Sequence, residues 1–241
     1  MRKRTWPSIH PRNVPVSYLI QKRANYYALP AGNVAGVLTM KLKRIGGIFD
    51  GMIKEGIRAG SLIYFSTDPT IASELLLYQL CGVRKTYYFV TERNPKRVES
   101  GMKEAGVDLE TVELRDFREK KRDTSEIIST LKRADDANLI IDTFVPFSDN
   151  LDLVKELLEE SEGKDVVCFL VIPKGACNEL VSSRIAYMSD VFFDLCADRV
   201  GEEVIIKFGA PKIRGVSPMT EYMRLKIDAS GVDVDTSRHI V

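Results

Sequence analysis

Residues 66–73, STDPTIAS, gather hydroxyl and carboxylate side chains between two apolar segments. They follow the strand-like run SLIYF and precede the helix-like run ELLLYQL. Many nucleotide-binding proteins place a glycine-rich loop between such a strand and helix, where backbone N–H groups surround a phosphate and a lysine neutralises its charge. This turn contains no glycine and no lysine. Its residues are Ser66, Thr67, Asp68, Pro69, Thr70, Ile71, Ala72 and Ser73.

Two further apolar runs end in residues that could act together with this turn. Asp142 and Thr143 follow the run NLII, and Glu92 follows the run TYYFVT. An aspartate at the end of a buried strand can orient water around a magnesium ion beside a phosphate. It can equally cap the next turn, and for Asp142 alone the structural role is favoured. Ligands of open α/β sheets bind at the carboxyl ends of the strands, so the three segments predict one site.

The elements that would position this site alternate along the chain. Short β-rich runs are separated by segments with helical spacing of Leu, Ile and Val, which predicts a mostly parallel central sheet with helices on both faces. After Asp190 a hairpin and a further strand, Tyr222–Ile227, predict antiparallel strands at the C-terminal end of this α/β fold. The predicted strands are 62–65, 86–91, 112–114, 138–142 and 166–172, and the predicted helices are 45–53, 71–81, 95–105, 124–134, 150–161 and 178–188.

Charge divides the chain into two predicted regions. Nine basic residues precede Asp50, the first acid; since the whole chain has a formal net charge of +1, the remainder carries −8. Residues 1–36 are rich in proline, basic and aromatic residues, and they predict an extended arm before an α/β domain of residues 37–241. Such an arm can meet nucleic acid, an acidic membrane surface or an acidic protein face.

The cysteines and the apolar runs indicate the compartment. Cys81, Cys168, Cys177 and Cys196 show no C-x-x-C spacing, so they predict reduced thiols and no metal site. No apolar run approaches the ~18 residues that a membrane span needs. The sequence therefore predicts a cytoplasmic protein without a membrane segment.

Four segments, in order, resemble the RecA superfamily, in particular its archaeal and cyanobacterial KaiC-like and RadA-like branch. The resemblance runs from about residue 42 to residue 234 and implies a RecA-like three-layer fold. It also implies that Asp142 occupies the magnesium-orienting position, and that Lys212 and Arg214 belong to an element that reaches toward a nucleotide held by the neighbouring subunit. The segments are RIGGIFDGMIKEGIRAGSLIYFS, YFVTERNPKRVESGMKEAGVDLE, LIIDTF and FGAPKIRGVSPMTEYMRLKIDASGVDV.

The chain departs from this family where phosphate would bind. Ser66, Pro69 and Ile71 stand where the family has glycines, and Ala72 stands where it has lysine. Glu92 matches the first of a pair of glutamates, but Arg93 stands at the second. Because phosphoryl transfer depends on positioning and charge stabilisation, we expect a degenerate nucleotide site with no catalytic residue and no cofactor.

Three functions follow as hypotheses. The first is a non-catalytic RecA-like protein, or pseudo-ATPase, that binds another polypeptide, a peptide strand or its own copies. The second is a nucleotide-binding ATPase in which Arg93 or Arg84 replaces the lysine. The third is an accessory protein that binds nucleic acid through the arm. The interface candidates are Tyr26, Tyr27, Lys212 and Arg214, although the two tyrosines could instead cover the protein's own core.

Overall fold

The computed structural model describes residues 42–119, 123–228 and 231–236. The predicted arm, with Tyr26 and Tyr27, lies outside these ranges. The strands are β1 (Leu42–Lys43), β2 (Ile57–Arg58), β3 (Leu62–Thr67), β4 (Lys85–Val90), β5 (Val112–Asp116), β6 (Ala137–Ile141), β7 (Val166–Pro173), β8 (Val191–Val200), β9 (Glu203–Ile213), β10 (Met223–Asp228) and β11 (Gly231–Val234). The helices are α1 (Ile48–Met52), α2 (Glu74–Cys81), α3 (Pro95–Glu104), α4 (Ser125–Arg133), α5 (Leu151–Ser161) and α6 (Glu179–Met188).

The large sheet has the order β11-β10-β9-β8-β3-β7-β6-β4-β5. Strands β8, β3, β7, β6, β4 and β5 are mutually parallel, whereas β9, β10 and β11 extend the sheet beyond β8, each antiparallel to the strand before it. Strand β3 leads through α2 to β4 on one side, and β7 leads through α6 to β8 on the other. This reversal places a crevice at the carboxyl ends of β3 and β7.

Two hydrophobic layers cover the sheet, because side chains alternate between its faces. In β3, Ile63 and Phe65 pack with α1, α2 and α3, whereas Leu62 and Tyr64 pack with α4, α5 and α6. The central strands are buried on both faces, which explains their nearly continuous apolar sequences. The predicted three-layer α/β fold with antiparallel C-terminal strands is confirmed.

Several boundaries differ from the predictions. The helix predicted for residues 71–81 begins at Glu74, and the one predicted for residues 45–53 covers only Ile48–Met52. The last predicted strand, Tyr222–Ile227, is Met223–Asp228. Strand β11 pairs with it along four residues, so this strand does not form the edge of the sheet. The two-residue strands β1 and β2, which pair with each other, were not predicted.

Candidate functional site

The turn after β3 uses its own backbone N–H groups. Those of Asp68, Ile71 and Ser73 donate to Leu195 (3.0 Å), Asp68 (3.2 Å) and Ile71 (2.8 Å) carbonyl oxygens, respectively. The N–H of Thr70 donates to Oδ1 of Asp68 at 2.9 Å. A phosphate loop works by turning such donors toward the ligand. Here four of them are already satisfied by protein acceptors.

Asp68 closes this turn with its side chain. Its Oδ1 accepts from both the N–H and the hydroxyl of Thr70, the latter at 2.6 Å, which is the pattern of an Asx turn. These two hydrogen bonds lower the pKa of Asp68. No residue from Ser66 to Ser73, all of them described, has a positive φ. The turn therefore does not need the glycines of a phosphate loop.

The remaining side chains of the turn show why it lacks phosphate-binding chemistry. Ile71 is buried in the hydrophobic core below α2. Ala72 is exposed and carries no charge at the lysine position. Ser73 precedes α2 with helical dihedral angles, and its side chain makes no capping hydrogen bond. Ser66 and Thr67 are buried within β3, and Pro69 and Thr70 are exposed.

Asp142 lies at the carboxyl end of β6, next to the end of β4. Its side chain is 0% exposed. Its Oδ1 accepts hydrogen bonds from the N–H (3.0 Å) and the hydroxyl (2.9 Å) of Thr91, and that hydroxyl also contacts the carbonyl oxygen of Thr143 at 2.7 Å. The hydroxyl of Thr143 is itself buried without a hydrogen-bond partner. One oxygen of Asp142 thus serves to join two strand ends.

Arg93 covers the other oxygen. Its Nε lies 3.4 Å from Oδ2 of Asp142, and its Nη2 lies 3.4 Å from the hydroxyl of Tyr88, which is fully buried. Its Nη1 lies 3.7 Å from Glu74 at the start of α2. Burial raises the pKa of Asp142, and the charge of Arg93 with the hydrogen bonds of Thr91 offsets only part of that rise. Arg93 therefore supplies the positive charge that faces this carboxylate.

The other predicted site residues lie apart from this pair. Glu92 is exposed and makes no hydrogen bond or ion pair within the described ranges. Lys212 donates to the carbonyl oxygens of Ala186 (2.8 Å) and Tyr187 (2.9 Å), in the last turn of α6. Arg214 pairs with Asp190 at 2.8 Å. Because β9 is antiparallel to β8, Arg214 lies at the amino end of β3. The Ser66–Ser73 turn of the same chain lies at the opposite, carboxyl end of that strand.

Arg84 cannot replace the missing lysine. It precedes β4, so it lies at the amino end of the parallel strands, whereas the turn lies at their carboxyl end. Its guanidinium donates to the carbonyl oxygen of Arg44 and lies 3.7 Å from Asp136. The substitution that the sequence allowed for Arg84 was therefore wrong.

A second polar group beside the turn was missed in the sequence. Lys174 follows β7; its N–H donates to Thr67 at 2.8 Å, and its Nζ lies 2.7 Å from Oδ1 of Asp194. Oδ2 of Asp194 accepts from the hydroxyl of Tyr222 at 2.7 Å, and burial together with Asp194 raises the pKa of that phenol. The available signal was an aspartate inside the apolar strand sequence VFFDLC. Asp194 thus holds the lysine that directly follows β7.

These contacts test whether the site fits a magnesium nucleotide, which the resemblance implies for the family. A nucleotide phosphate needs converging N–H donors and a cation in the turn. The turn has donors committed elsewhere and Ala72 in place of the cation. Magnesium needs an available carboxylate or its bound water, but Asp142 is shared between Thr91 and Arg93. The residues present do not fit this group.

A cleft of about 750 Å³ opens beside Arg93, between α2 and α3. Tyr78 and Leu75 of α2 line one wall, and Val98 and Gly101 of α3 line the other. The charged side chains on its surface are Glu74, Arg93, Arg97, Glu104 and Asp228. A volume of this size accommodates a small organic molecule.

Comparisons with known proteins agree with the fold. The model of a family described as "Family of unknown function (DUF7125)" matches residues 47–241. No curated protein matches the sequence. A KaiC-like protein from the archaeon Pyrococcus horikoshii has a similar structure with a TM-score of 0.63 and 16% identity, over 81% of this chain and 99% of that one.

A second similar structure is the flagellar accessory protein FlaH from Methanocaldococcus jannaschii. Its TM-score is 0.68 at 14% identity, and the match covers 82% of this chain and 100% of the other. At such low identities the two similarities establish the fold alone. They confirm the RecA-like and KaiC-like architecture predicted from the four sequence segments. Within the described residues, no helix combines the length and apolar composition needed to cross a membrane.

Proposed function

Because the chain belongs to the family of unknown function DUF7125, whose description states no activity, we propose a function from the site itself. The protein is a non-catalytic RecA-like protein that retains the fold of nucleotide-binding relatives and acts by binding a polypeptide, either a partner or its own copies. Its site between the turn 66–73 and Asp142 is a degenerate nucleotide site. A cytoplasmic location is part of this proposal.

The ion pair between Arg93 and Asp142 carries the proposal. A guanidinium that faces a buried carboxylate neutralises the charge of that carboxylate. Unlike a magnesium ion, however, it does not coordinate water. Arg93 also stands where the resemblance implies the glutamate that activates water. One residue therefore removes the base and neutralises the carboxylate on which metal-assisted phosphoryl transfer depends.

Exposed apolar side chains support the binding role. Leu180 and Tyr187 of α6 are 70% and 83% exposed. They are seven residues apart, so they lie on the same face of the helix, and Ile185 is the one fully buried residue of this described helix. Neighbouring exposed apolar groups favour contact with another polypeptide more than single ones do.

Titration calorimetry of the full chain with Mg-ATP tests the loss of nucleotide chemistry. We expect no binding in the micromolar range and no hydrolysis. In Ala72→Lys hydrolysis stays absent, because Arg93 still pairs with Asp142 and the N–H groups of the turn remain occupied; Ala72→Gln is the uncharged control. A low micromolar dissociation constant for the natural chain, or turnover by Ala72→Lys, would contradict the proposal.

One observation favours nucleotide binding as a second candidate function. The cleft beside Arg93 is large enough for a nucleotide, and Arg93 could contact a phosphate from there. In that case Mg-ATP would bind the natural chain, and Arg93→Gln would weaken binding while Lys96→Gln, on the exposed surface, would not.

The nucleic-acid hypothesis depends mainly on residues outside the described ranges. Of the nine basic residues before Asp50, Lys43 and Arg44 are described, and Lys43 pairs with Asp136 and Asp165. Binding through the arm would be insensitive to sequence, with a log–log salt slope of about −0.9 per neutralised phosphate of duplex DNA. Gel shifts at low salt that are unchanged after removal of residues 1–36 would exclude the arm as the binding element.

A further inference from the structure

The cleft between α2 and α3 has apolar walls and a charged residue toward each end of α3. Leu75 and Tyr78 of α2 face Val98 and Gly101 of α3 across it, and Gly101 lies against the Tyr78 ring. A Cβ added at Gly101 would lie 3.1 Å from the hydroxyl oxygen and 3.2 Å from Cε2 of Tyr78. The glycine therefore leaves room that a larger residue would take from the cleft.

The positive end of the cleft has an uncommitted cation. Arg93 is engaged by Asp142 and Glu74, but Arg97 forms no ion pair or side-chain hydrogen bond within the described residues. The first turn of α3 contains no acid and carries Lys96 beside Arg97. Positive charge at a helix amino end opposes the macrodipole and costs stability. An anion bound there would be favoured by the side chain and by the helix dipole together.

The negative end of the cleft lies at the other end of the same helix. Glu104, the last residue of α3, lines the cleft, and one of its oxygens accepts from Ser100 at 3.0 Å. The basic residue of this last turn, Lys103, is engaged by Glu99 at 2.6 Å. Glu104 also opposes the macrodipole, because carboxylates are disfavoured at helix carboxyl ends. A bound cation would relieve this charge.

The two ends set the length of a ligand. Seven residues separate Arg97 from Glu104, which corresponds to about 10 Å at a rise of 1.5 Å per residue. Both unfavourable charges face the same cleft, and local conflicts of this kind are typical of functional sites. The charges are opposite in sign, so a ligand with a single charge would satisfy only one of them.

We infer that the α2–α3 cleft binds a small dipolar molecule, with its carboxylate or phosphate at Arg97, its ammonium group at Glu104 and an apolar chain over Tyr78. This inference is independent of the proposed loss of nucleotide chemistry, because neither Arg97 nor Glu104 contacts Asp142 or the turn 66–73. Zwitterionic chains and short peptides have the required chemistry.

The probe is ω-aminooctanoate, whose charged ends are about 10 Å apart, the length that the helix sets. Octanoate and octylamine each lack one of its two charges. Binding is measured on the full chain by NMR titration at low ionic strength, following the amide signals of α2 and α3. We expect ω-aminooctanoate to bind about fivefold more tightly than either comparison molecule, which is the upper range for one additional exposed charge pair.

Matched variants assign the two ends. Arg97→Gln is expected to weaken the binding of ω-aminooctanoate about fivefold and to leave that of octylamine unchanged. Glu104→Gln is expected to weaken the binding of ω-aminooctanoate to the same extent and to leave that of octanoate unchanged. Lys96→Gln, on the same helix but outside the cleft lining, serves as the control and should leave all three affinities unchanged. All three positions lie on the helix surface, and thermal unfolding checks that each variant folds.

Equal affinities for the three probes, no saturable shift with any of them, or equal effects of the cleft variants and their controls would overturn the inference. Tighter binding of adenosine monophosphate than of ω-aminooctanoate, lost in Arg97→Gln but not in Glu104→Gln, would also overturn it, because it would identify a site for an anion alone.

Discussion

Arg93 and Asp142 are 49 positions apart in the sequence and 3.4 Å apart in the structure. The departures at Ala72 and Arg93 could be predicted from the sequence, because they stand at positions where a motif requires other residues. The pairing of Arg93 with Asp142 could not be predicted, since it depends on β4 and β6 being adjacent in the sheet although β5 lies between them in the chain. Sequence spacing gives the identity of a strand-end residue but not its neighbour across the sheet.

Replacement of Arg93 should make folding stability more dependent on pH. A carboxyl whose pKa is raised in the folded protein, as burial does for Asp142, favours folding most below its unfolded value of 3.8, and this contribution falls as the pH rises through the folded pKa. Arg93→Gln raises that pKa further. We expect it to lower the free energy of unfolding by about 1–2 kcal/mol at neutral pH and by less near pH 4.

The magnitude stays modest because Arg93 is 37% exposed, so solvent screens part of its charge. Urea unfolding from about pH 4 to neutral pH measures the effect. In an Asp142→Asn background, Arg93→Gln should cause a loss that changes much less with pH, since only the half-exposed Glu74 then remains as a titrating partner. A loss of equal size at every pH in the natural background would show that Arg93 acts through packing alone.

Thr91 provides a second test at the residue scale. Its buried hydroxyl joins Oδ1 of Asp142 to the carbonyl oxygen of Thr143. Thr91→Val keeps the shape but removes the one hydroxyl donor that these two buried acceptors share, so we expect a loss of about 1–3 kcal/mol in the free energy of unfolding. Thr91→Ser keeps the hydroxyl and should lose clearly less. Equal losses in the two variants would attribute the effect to the missing methyl group instead.

At the scale of elements, long periodic segments were predicted well and short ones were not. The helices α3 to α6 begin and end within one residue of their predicted bounds, because each has an apolar face and, in α3, α5 and α6, an asparagine cap. The strands β1, β2 and β11 have two to four residues. Such lengths show no periodicity, and these strands exist because of tertiary pairing.

The turn 66–73 shows how one side chain determines an element. Oδ1 of Asp68 accepts from the Thr70 N–H and hydroxyl, so Asp68→Ala leaves both donors without it and Asp68→Asn can keep the Asx turn. We expect Asp68→Ala to lower the free energy of unfolding by about 0.5–1.5 kcal/mol at neutral pH and Asp68→Asn to lower it less.

The pH dependence of Asp68 has the opposite sign to that of Asp142. The lowered pKa means that its stabilising contribution is present above the unfolded value of 3.8 and is lost as the pH falls through the folded value. The difference in unfolding free energy between the natural chain and Asp68→Ala should therefore shrink on acidification below about pH 4. A difference that stays constant or grows there would contradict the role of the charged carboxylate.

At the scale of the whole molecule, the margins of the sheet limit how copies can associate. Strand β5 forms one edge and carries Glu113 and Arg115, which pair with each other and are joined by Lys85 and Glu126. Charged edge strands resist strand addition. The other edge, β11, has only four residues. Association is therefore expected to depend on side chains and the predicted arm more than on a long exposed strand.

Removal of the arm provides the test of self-association. Residues 1–36 contain six basic residues and no acid, so their loss changes the formal net charge from +1 to −5. If the arm of one copy contacts the acidic remainder of another, light scattering of the full chain should show a mass that rises with protein concentration and falls with added salt. The chain lacking residues 1–36 should scatter as a monomer under both conditions.

Tyr187→Glu in the full chain separates the contribution of the exposed face of α6, with Glu179→Gln on the same helix as control. A full chain that stays strictly monomeric throughout would exclude binding to its own copies and would leave an unrelated polypeptide as the partner for this fold.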